Sequence, residues 1–299
     1  MSTLTRSALA LALLSLFGSS HAADAAATKD AGKVRQGAQA TAVGVGVPRF
    51  DHVLIVIMEN EDQEQIIGSA TAPYINSLAQ AGANFTSSHA VAHPSQPNYL
   101  ALFSGSTQGV TDNSCPLAFT NKANLASQLV AAKLSFTGFS EDLPSAGYTG
   151  CKADQYRRKH NPWVNFDNVA SSSNQPFTAF PSTNLAALPT VSIVVPNMCN
   201  DHHDCPIQTG DAWLKARLDP YVQWARTHNS LFILTWDEDA SRKENHITTI
   251  MVGARVQPGN YSTTINHYNV LRTVQEMYGL PPLENTVAAA PITSIWTPR

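Results

Sequence analysis

Four short segments of this 299-residue chain carry side chains able to do chemistry together: Glu59-Asn60, Ser95, His203 and Asp237-Glu238. Carboxylates brought close repel, and each raises the other's pKa unless a cation lies between them. A divalent metal held by oxygen ligands removes that conflict, and a serine hydroxyl beside it loses its proton readily enough to act as a nucleophile. A helix N-terminus at Ser95 would present backbone N–H groups to the group under attack. That combination suits phosphoryl transfer. Taken singly, each segment has a plainer explanation. Glu59-Asn60 reads as a solvated strand end, Ser95 as a turn or cap residue, and His203, beside His202 and between Asp201 and Asp204, as part of a loop closed by a small disulfide. Asp237-Glu238 after a buried strand is the strongest single signal, and only the four together outweigh the plainer explanations.

The hydrophobic pattern shows what must position these groups. His52–Met58 is an unbroken apolar, β-branched run that ends at Glu59. Such a run suits a strand buried on both faces, and open α/β sheets place ligands at the carboxyl ends of such strands. Residues 231–236 repeat the design and run into Asp237-Glu238-Asp239, while Val191–Val195 runs into a polar stretch ending at Asp204. Pro73–Ala81 reads as a helix stopped by Gly82, 83–91 as extended, and 99–103 as helical, with Pro94 and Pro97 fixing the backbone around Ser95. A helix over 124–133 and a strand over 135–140 follow. The irregular span 141–189 is long enough to suggest function. Residues 211–228 form an amphipathic helix with Trp213, Leu214, Leu218, Tyr221 and Trp224 at helical spacing. A strand over 247–252 and a helix over 268–278, stopped by Gly279 and Pro281-Pro282, complete the pattern. Strands alternating with helices predict an α/β fold with a mainly parallel central sheet and helices on both faces.

Arg6, an apolar run over 8–17 and the small residues up to Ser20-His21-Ala22 have the layout of a secretory signal peptide over 1–22. A membrane span needs about 20 apolar residues, and neither this run nor any later one reaches that. Residues 23–47, rich in Ala, Gly, Thr and charge, read as a disordered leader. Residues 48–299, about 250, suit a single domain with a sizeable core. The expected location is secreted or periplasmic. The four cysteines then predict two disulfides, best paired as Cys115–Cys151 and Cys199–Cys205 because each pair flanks a polar loop. A zinc site is the other reading, without Cys-x-x-Cys spacing to support it. Net charge is −3 and the one basic run is Arg157-Arg158-Lys159, which argues against a nucleic-acid surface. Asn84-Phe85-Thr86 and Asn260-Tyr261-Ser262 match the glycosylation sequon, a pattern short enough to occur by chance.

Ile57-Met58-Glu59-Asn60, His93-Pro94-Ser95-Gln96-Pro97-Asn98-Tyr99, Lys159-His160-Asn161-Pro162-Trp163, Asn200-Asp201-His202-His203-Asp204 and Thr235-Trp236-Asp237-Glu238 resemble, in order, blocks of the bacterial and fungal acid phosphatase and phospholipase C family of the alkaline phosphatase-like superfamily. The likeness runs from about His52 to Leu280. It implies that Ser95 is the nucleophile and forms a phosphoserine, and that Glu59, Asn60, Asp237 and Glu238 hold a metal together with the Ser95 oxygen. It further implies His203 as general acid and His160 on the phosphoryl oxygens, with Asn98 helping to orient them. His246 and His267 are weaker candidates for the same pocket. Histidine suits the acid role because its unperturbed pKa of about 6.5 leaves it largely protonated in mildly acidic medium.

Two departures tilt the resemblance away from the phospholipase branch. Glu61-Asp62-Gln63-Glu64 follows Asn60 where that branch continues with an Arg-Ser-Phe-Asp-His-like segment, and Asp239-Ala240-Ser241 follows Glu238 where it has His-Gly-Gly. The favoured reading is a secreted, metal-dependent acid phosphatase acting on small-molecule phosphate monoesters. The alternatives are a phospholipase C or phosphodiesterase using the same site, and a non-catalytic binding protein of the same fold. Oxygen ligands suit Mg, Ca or Mn, and nearby histidines leave Zn or Fe open. Motifs of the histidine, haloacid dehalogenase-type and cysteine phosphatases are absent, as is a Gly-x-Ser-x-Gly elbow.

Overall fold

A computed structural model describes residues 46–240 and 244–298. The expected signal peptide over 1–22 and all but the last two residues of the expected leader lie outside this range. In chain order the main elements are β1 (His52–Met58), α1 (Pro73–Ala81), β2 (Ala83–Phe85), α2 (Ser95–Ser104), α3 (Leu125–Ala131), β3 (Phe136–Ser140), β4 (Asn174–Pro176), β5 (Val191–Val195), α4 (Ile207–Ala225), β6 (Ser230–Trp236), β7 (Thr249–Gly253), β8 (Gly259–Tyr261) and α5 (His267–Tyr278). The strands form one eight-stranded sheet in the order β8-β2-β7-β6-β1-β5-β3-β4.

β1 lies mid-sheet between β5 and β6, both parallel to it, with Ile55 level with Ile193 and with Ile233. Its alternation divides two cores. Val53, Ile55 and Ile57 face the layer of α2, α3 and α5, while Leu54, Val56 and Met58 face that of α1 and α4. Burial on both faces explains the absence of polar residues in the run. A large-to-small change at such a position costs about 2–5 kcal/mol.

The mainly parallel sheet expected from sequence is present, with β7 reversed against β6 and β2. The physical reason is the connection. Among the described residues no helix separates Trp236 from Thr249, so the chain returns antiparallel, whereas parallel pairing needs a longer crossover. The helix expected over 211–228 begins at Ile207. Asp211 has the residue type of an N-cap but serves another helix: its carboxylate accepts from the backbone N–H groups of Tyr74 (3.1 Å) and Ile75 (2.8 Å) in the first turn of α1. Gly279 ends α5 with φ 63°, the left-handed cap expected of it. Gly82 ends α1 with extended backbone, and its lack of a side chain instead makes room for the Met251 carbonyl.

Both disulfides, Cys115–Cys151 and Cys199–Cys205, form as paired from sequence. The span 141–189 is stitched by short elements, among them a hairpin pairing Lys152–Ala153 with Tyr156–Arg157 and the 3-10 turn Arg158–His160. Among the described residues no helix is long and apolar enough to cross a membrane.

Candidate active site

Strand register assembles the site. Met58 lies level with Trp236, so the residues that follow them, Glu59 and Asp237, emerge side by side at the carboxyl edge of the sheet. The crossing is closed by the Asp237 N–H donating to the Met58 carbonyl (2.9 Å) and the Asn60 N–H donating to Asp237 Oδ1 (3.1 Å). Asn60 takes φ 51°, a left-handed backbone uncommon outside glycine, which turns the chain off the strand at this point. Ser95 comes from the opposite direction, in the first turn of α2. The N-cap residue is Pro94, which offers no side-chain cap. Asn113 Oδ1 accepts the Gln96 N–H (3.0 Å), and because Pro94 and Pro97 carry no N–H, the Ser95 amide is the donor this first turn can offer an anion.

Ser95 Oγ sits 3.0 Å from Glu59 Oε2 and 3.2 Å from Glu238 Oε1, and all three side chains are buried. A hydroxyl has one proton, so it can satisfy one of these oxygens at a time. The opposite side of Glu59 is braced by the Tyr99 hydroxyl, which donates to Oε1 (2.6 Å), and by His160 Nε2 at 3.0 Å. His160 Nδ1 lies 3.5 Å from Asp201 Oδ2, and its ring stacks on Tyr99 with centroids 5.0 Å apart.

The charges are unbalanced. Burial pushes the Asp237 carboxyl well above its usual range, and the neighbouring Glu59 and Glu238 push it further. Burial also raises Glu238, with His93 opposing and Glu59 reinforcing the shift. Burial would raise Glu59 too, but His160, then Lys159 and Tyr99, outweigh it and hold Glu59 well below the carboxylate range. His160 is the reciprocal case: burial disfavours its charge, and Glu59 with Asp201 raise its pKa nonetheless. Asp237 Oδ2 is buried without a hydrogen-bond partner. One shared serine proton, an orphaned carboxylate oxygen and an all-oxygen donor set fit a hard divalent cation. Glu59, Asn60, Ser95, Asp237 and Glu238 are the residues able to hold it, although among the described residues no three His, Cys, Asp or Glu side chains converge as a ready-made coordination group.

The remaining residues singled out from sequence fall at graded distances from this centre. His203 lies at the rim, its Nδ1 2.7 Å from Asp204 Oδ1 and its ring 6.4 Å from that of His160, on the loop stapled by Cys199–Cys205. Asn98 faces the preceding turn: its Oδ1 accepts from the N–H groups of Val91 and Ala92, each at 3.0 Å, and its Nδ2 donates to the Ala92 carbonyl (2.8 Å). His267 is buried behind the site, with Nε2 2.9 Å from the Trp236 carbonyl, and burial pushes its pKa down to about 4. His246 stays outside the carboxylate cluster, facing Glu64 at 2.8 Å and stacking on His89.

Three participants carry no assigned role in the sequence reading. His93 spans two acids, with Nδ1 2.6 Å from Glu238 Oε2 and Nε2 3.2 Å from Asp239 Oδ1. Asp201 backs His160, and Tyr99 donates to Glu59. Tyr99 had a readable signal, since it stands four residues after Ser95 and so on the same helix face. His93 and Asp201 act across the chain, where spacing gives no cue.

The phosphoesterase family model matches residues 69–281. The chain belongs to the phosphoesterase family. It is accordingly a hydrolase acting on phosphoric ester bonds. A protein of Mycobacterium tuberculosis named phosphatidylinositol-3-phosphatase is 52% identical to this phosphoesterase over 251 residues, 84% of each chain. A phosphate-repressible acid phosphatase of Penicillium chrysogenum is 32% identical over 78% of this chain. The phosphoesterase spans 60% of that fungal relative's length. Among solved structures, the fold resembles an alkaline phosphatase superfamily protein of Vibrio parahaemolyticus, with a TM-score of 0.57 at 12% identity over 83% of this chain and 72% of that one. It also resembles a lipoteichoic acid synthase of Listeria monocytogenes, with a TM-score of 0.58 at 10% identity over 84% of this chain and 77% of that one.

Proposed function

We propose that this phosphoesterase is an exported, metal-dependent phosphomonoesterase that works through a phosphoserine on Ser95. The observation that carries the reading is the placement of Ser95 Oγ, in the first turn of α2 and between Glu59 Oε2 (3.0 Å) and Glu238 Oε1 (3.2 Å). Export rests on the signal-like residues 1–22 and on the two disulfides, which persist in oxidising compartments.

In this reading the Ser95 N–H at the start of α2 donates to a phosphoryl oxygen of the substrate, the Gln96 N–H being held by Asn113. Glu59, Asn60, Asp237 and Glu238 would hold a divalent ion beside Ser95, where it would supply charge neutralisation and a lowered serine pKa. Ser95 Oγ, having released its proton to solvent beforehand, attacks phosphorus as the alkoxide, the Oγ–P bond forms, and the P–O bond to the alcohol breaks. His203, its Nδ1 fixed by Asp204, gives the departing oxygen a proton from Nε2. It then takes one back from the water that attacks the phosphoserine, which frees Ser95 and inorganic phosphate. His160 keeps Glu59 anionic and in place, and His93 fixes Glu238 through the opposite carboxylate oxygen. The names of the mycobacterial and fungal relatives favour monoesters over diesters, and the first suggests an inositol phosphate group as one substrate.

The test is hydrolysis of an aryl phosphate monoester and the matching diester from about pH 4 to pH 9, with and without chelator. Chelator-sensitive monoester turnover strongest on the acid side is expected. A preference for the diester would move the protein to the phospholipase C or phosphodiesterase reading. No turnover of either ester with metal supplied would leave a binding protein.

A further inference from the structure

The loop that carries His203 contains a second histidine that the reaction as described does not use. His203 is exposed, and its ring is bonded to Asp204, which is exposed as well. Packing of its own therefore cannot aim it at the site. The chain on either side is tied down: the Asp201 N–H donates to the Asn197 carbonyl (2.8 Å), the Asp204 N–H to the Met198 carbonyl (2.7 Å), and the Asp201 carbonyl accepts the Glu59 N–H (2.8 Å). Between these ties the chain turns at His202, which takes φ 86°, in the left-handed region that few residues other than glycine enter.

That turn sends neighbouring side chains in opposite directions. Asp201 and His203 both approach His160, the first with Oδ2 3.5 Å from Nδ1 and the second with its ring 6.4 Å away. His202 instead enters the opposite layer, where its ring lies 5.8 Å from that of Trp236 and against α4 at Gly210. A Cβ at Gly210 would collide with His202 Cδ2 and Nε2, so the missing side chain there makes the room that the ring fills. The ring is 4% exposed, and neither of its nitrogens has a hydrogen-bond partner. Burial also pushes its pKa down to about 4, which leaves it uncharged above that pH. A buried polar ring without partners on strained backbone costs stability, and neither hydrogen bonding nor proton transfer accounts for it. What remains is its shape: a flat ring wedged between Trp236 and α4 fixes the direction in which the chain leaves residue 202. Trp236 immediately precedes Asp237, so the same contact ties the loop to the strand end that carries two of the site acids.

We infer that His202 is a positioning residue for His203: its buried ring, seated on Trp236 and Gly210, holds the loop of the general acid in place at the end of β6. The inference rests on His203 as the acid of the phosphomonoesterase reading and extends that reading to the residue that aims it.

The experiment compares an alkyl and an aryl phosphate monoester, using the full-length mature protein with divalent metal supplied. Glycine holds a positive φ without strain, so His202→Gly removes the wedge while still permitting the turn. It should lower kcat on the alkyl ester by about tenfold with KM within about twofold of native, and lower kcat on the aryl ester by less than about threefold. His202→Phe, which keeps a flat ring and gives up both nitrogens, should bring the alkyl rate back to within about threefold of native. Added to His203→Ala, His202→Gly should cost nothing further on the alkyl ester, because the acid it aims is already gone. Should His202→Gly fail to fold, Gly210→Ala displaces the ring from the helix side and should give the same loss confined to the alkyl ester. Equal losses on both esters in a folded variant would overturn the positioning role. Native kinetics in both His202→Gly and Gly210→Ala would overturn it too, as would a double variant whose loss is the product of the two single losses. A His203→Ala variant that loses both esters equally would instead remove the acid assignment, and the positioning role with it, whatever His202→Gly does.

Discussion

Acids gather at two places along the strand ends of this sheet, and their chemistry is opposite. At the end of β3, Glu141 is saturated with donors and Asp142 accepts one. Glu141 accepts from Trp213 Nε1 (2.7 Å), the Asn197 N–H (3.0 Å) and Asn200 Nδ2 (2.8 Å), and Asp142 accepts from Asn197 Nδ2 (2.8 Å). At the ends of β1 and β6, Glu59 and Glu238 share a single serine hydroxyl, and nearby Asp237 Oδ2 is buried with no hydrogen-bond partner. Acids that terminate a buried strand are therefore not a site by themselves. Donors turn the first pair into a brace for the 197–205 loop, and their scarcity in the second set is what supports the cation and phosphoryl site proposed there.

The comparison can be broken most sharply at Ser95. Ser95→Ala should cut turnover by at least about 10³-fold with an unchanged melting curve. A variant retaining near-native rates would remove the serine from the chemistry. His203→Ala should cost about 10²-fold on alkyl esters and much less on aryl esters, whose leaving groups need no proton. Equal losses on both would return His203 to a structural role.

Asp237→Asn separates affinity from stability. An unfolded Asp ionises near pH 3.9, while folded Asp237 keeps its proton to higher pH. As pH rises from about 4 through the folded-state pKa, the unfolded chain binds fewer protons than the folded one, so metal-free protein loses stability across that window. Asp237→Asn should flatten this decline in urea midpoints while weakening metal retention in equilibrium dialysis. Metal-free variant and native curves that run parallel would contradict the crowding. The smallest effect should come from the saturated Glu141. Glu141→Gln should cost about 1–3 kcal/mol of stability, read by denaturant titration, with turnover within a few fold of native.

Much of this arrangement was legible in the order of residues. The apolar run at β1 has no polar break because both faces are buried, and a run with that pattern admits few other structures. The segments around Glu59, Ser95, His203 and Asp237 and the six-residue Cys199–Cys205 loop were readable because each is local, and Cys115–Cys151, 36 residues apart, was then the remaining pair. What escaped depends on distant partners. Asp211 looks like the start of its own helix and instead caps α1, and the direction of β7 follows from the missing crossover helix. His93 earns its place through Glu238 and Asp239, which spacing does not reveal. Asn98 shows the converse, since its nearness to Ser95 suggested substrate and its amide is engaged with the backbone at Val91 and Ala92.

β1 occupies the middle of the sheet although it is the first strand to be made, and its two neighbours are residues 191–195 and 230–236. During synthesis or export the most apolar strand of the chain therefore has both edges open until most of the chain has emerged. Such a strand is prone to pair with other chains before its own partners arrive. Glu59 meets Asp237 only when β6 closes on β1, so the carboxylate cluster cannot assemble until residues 230–236 have emerged.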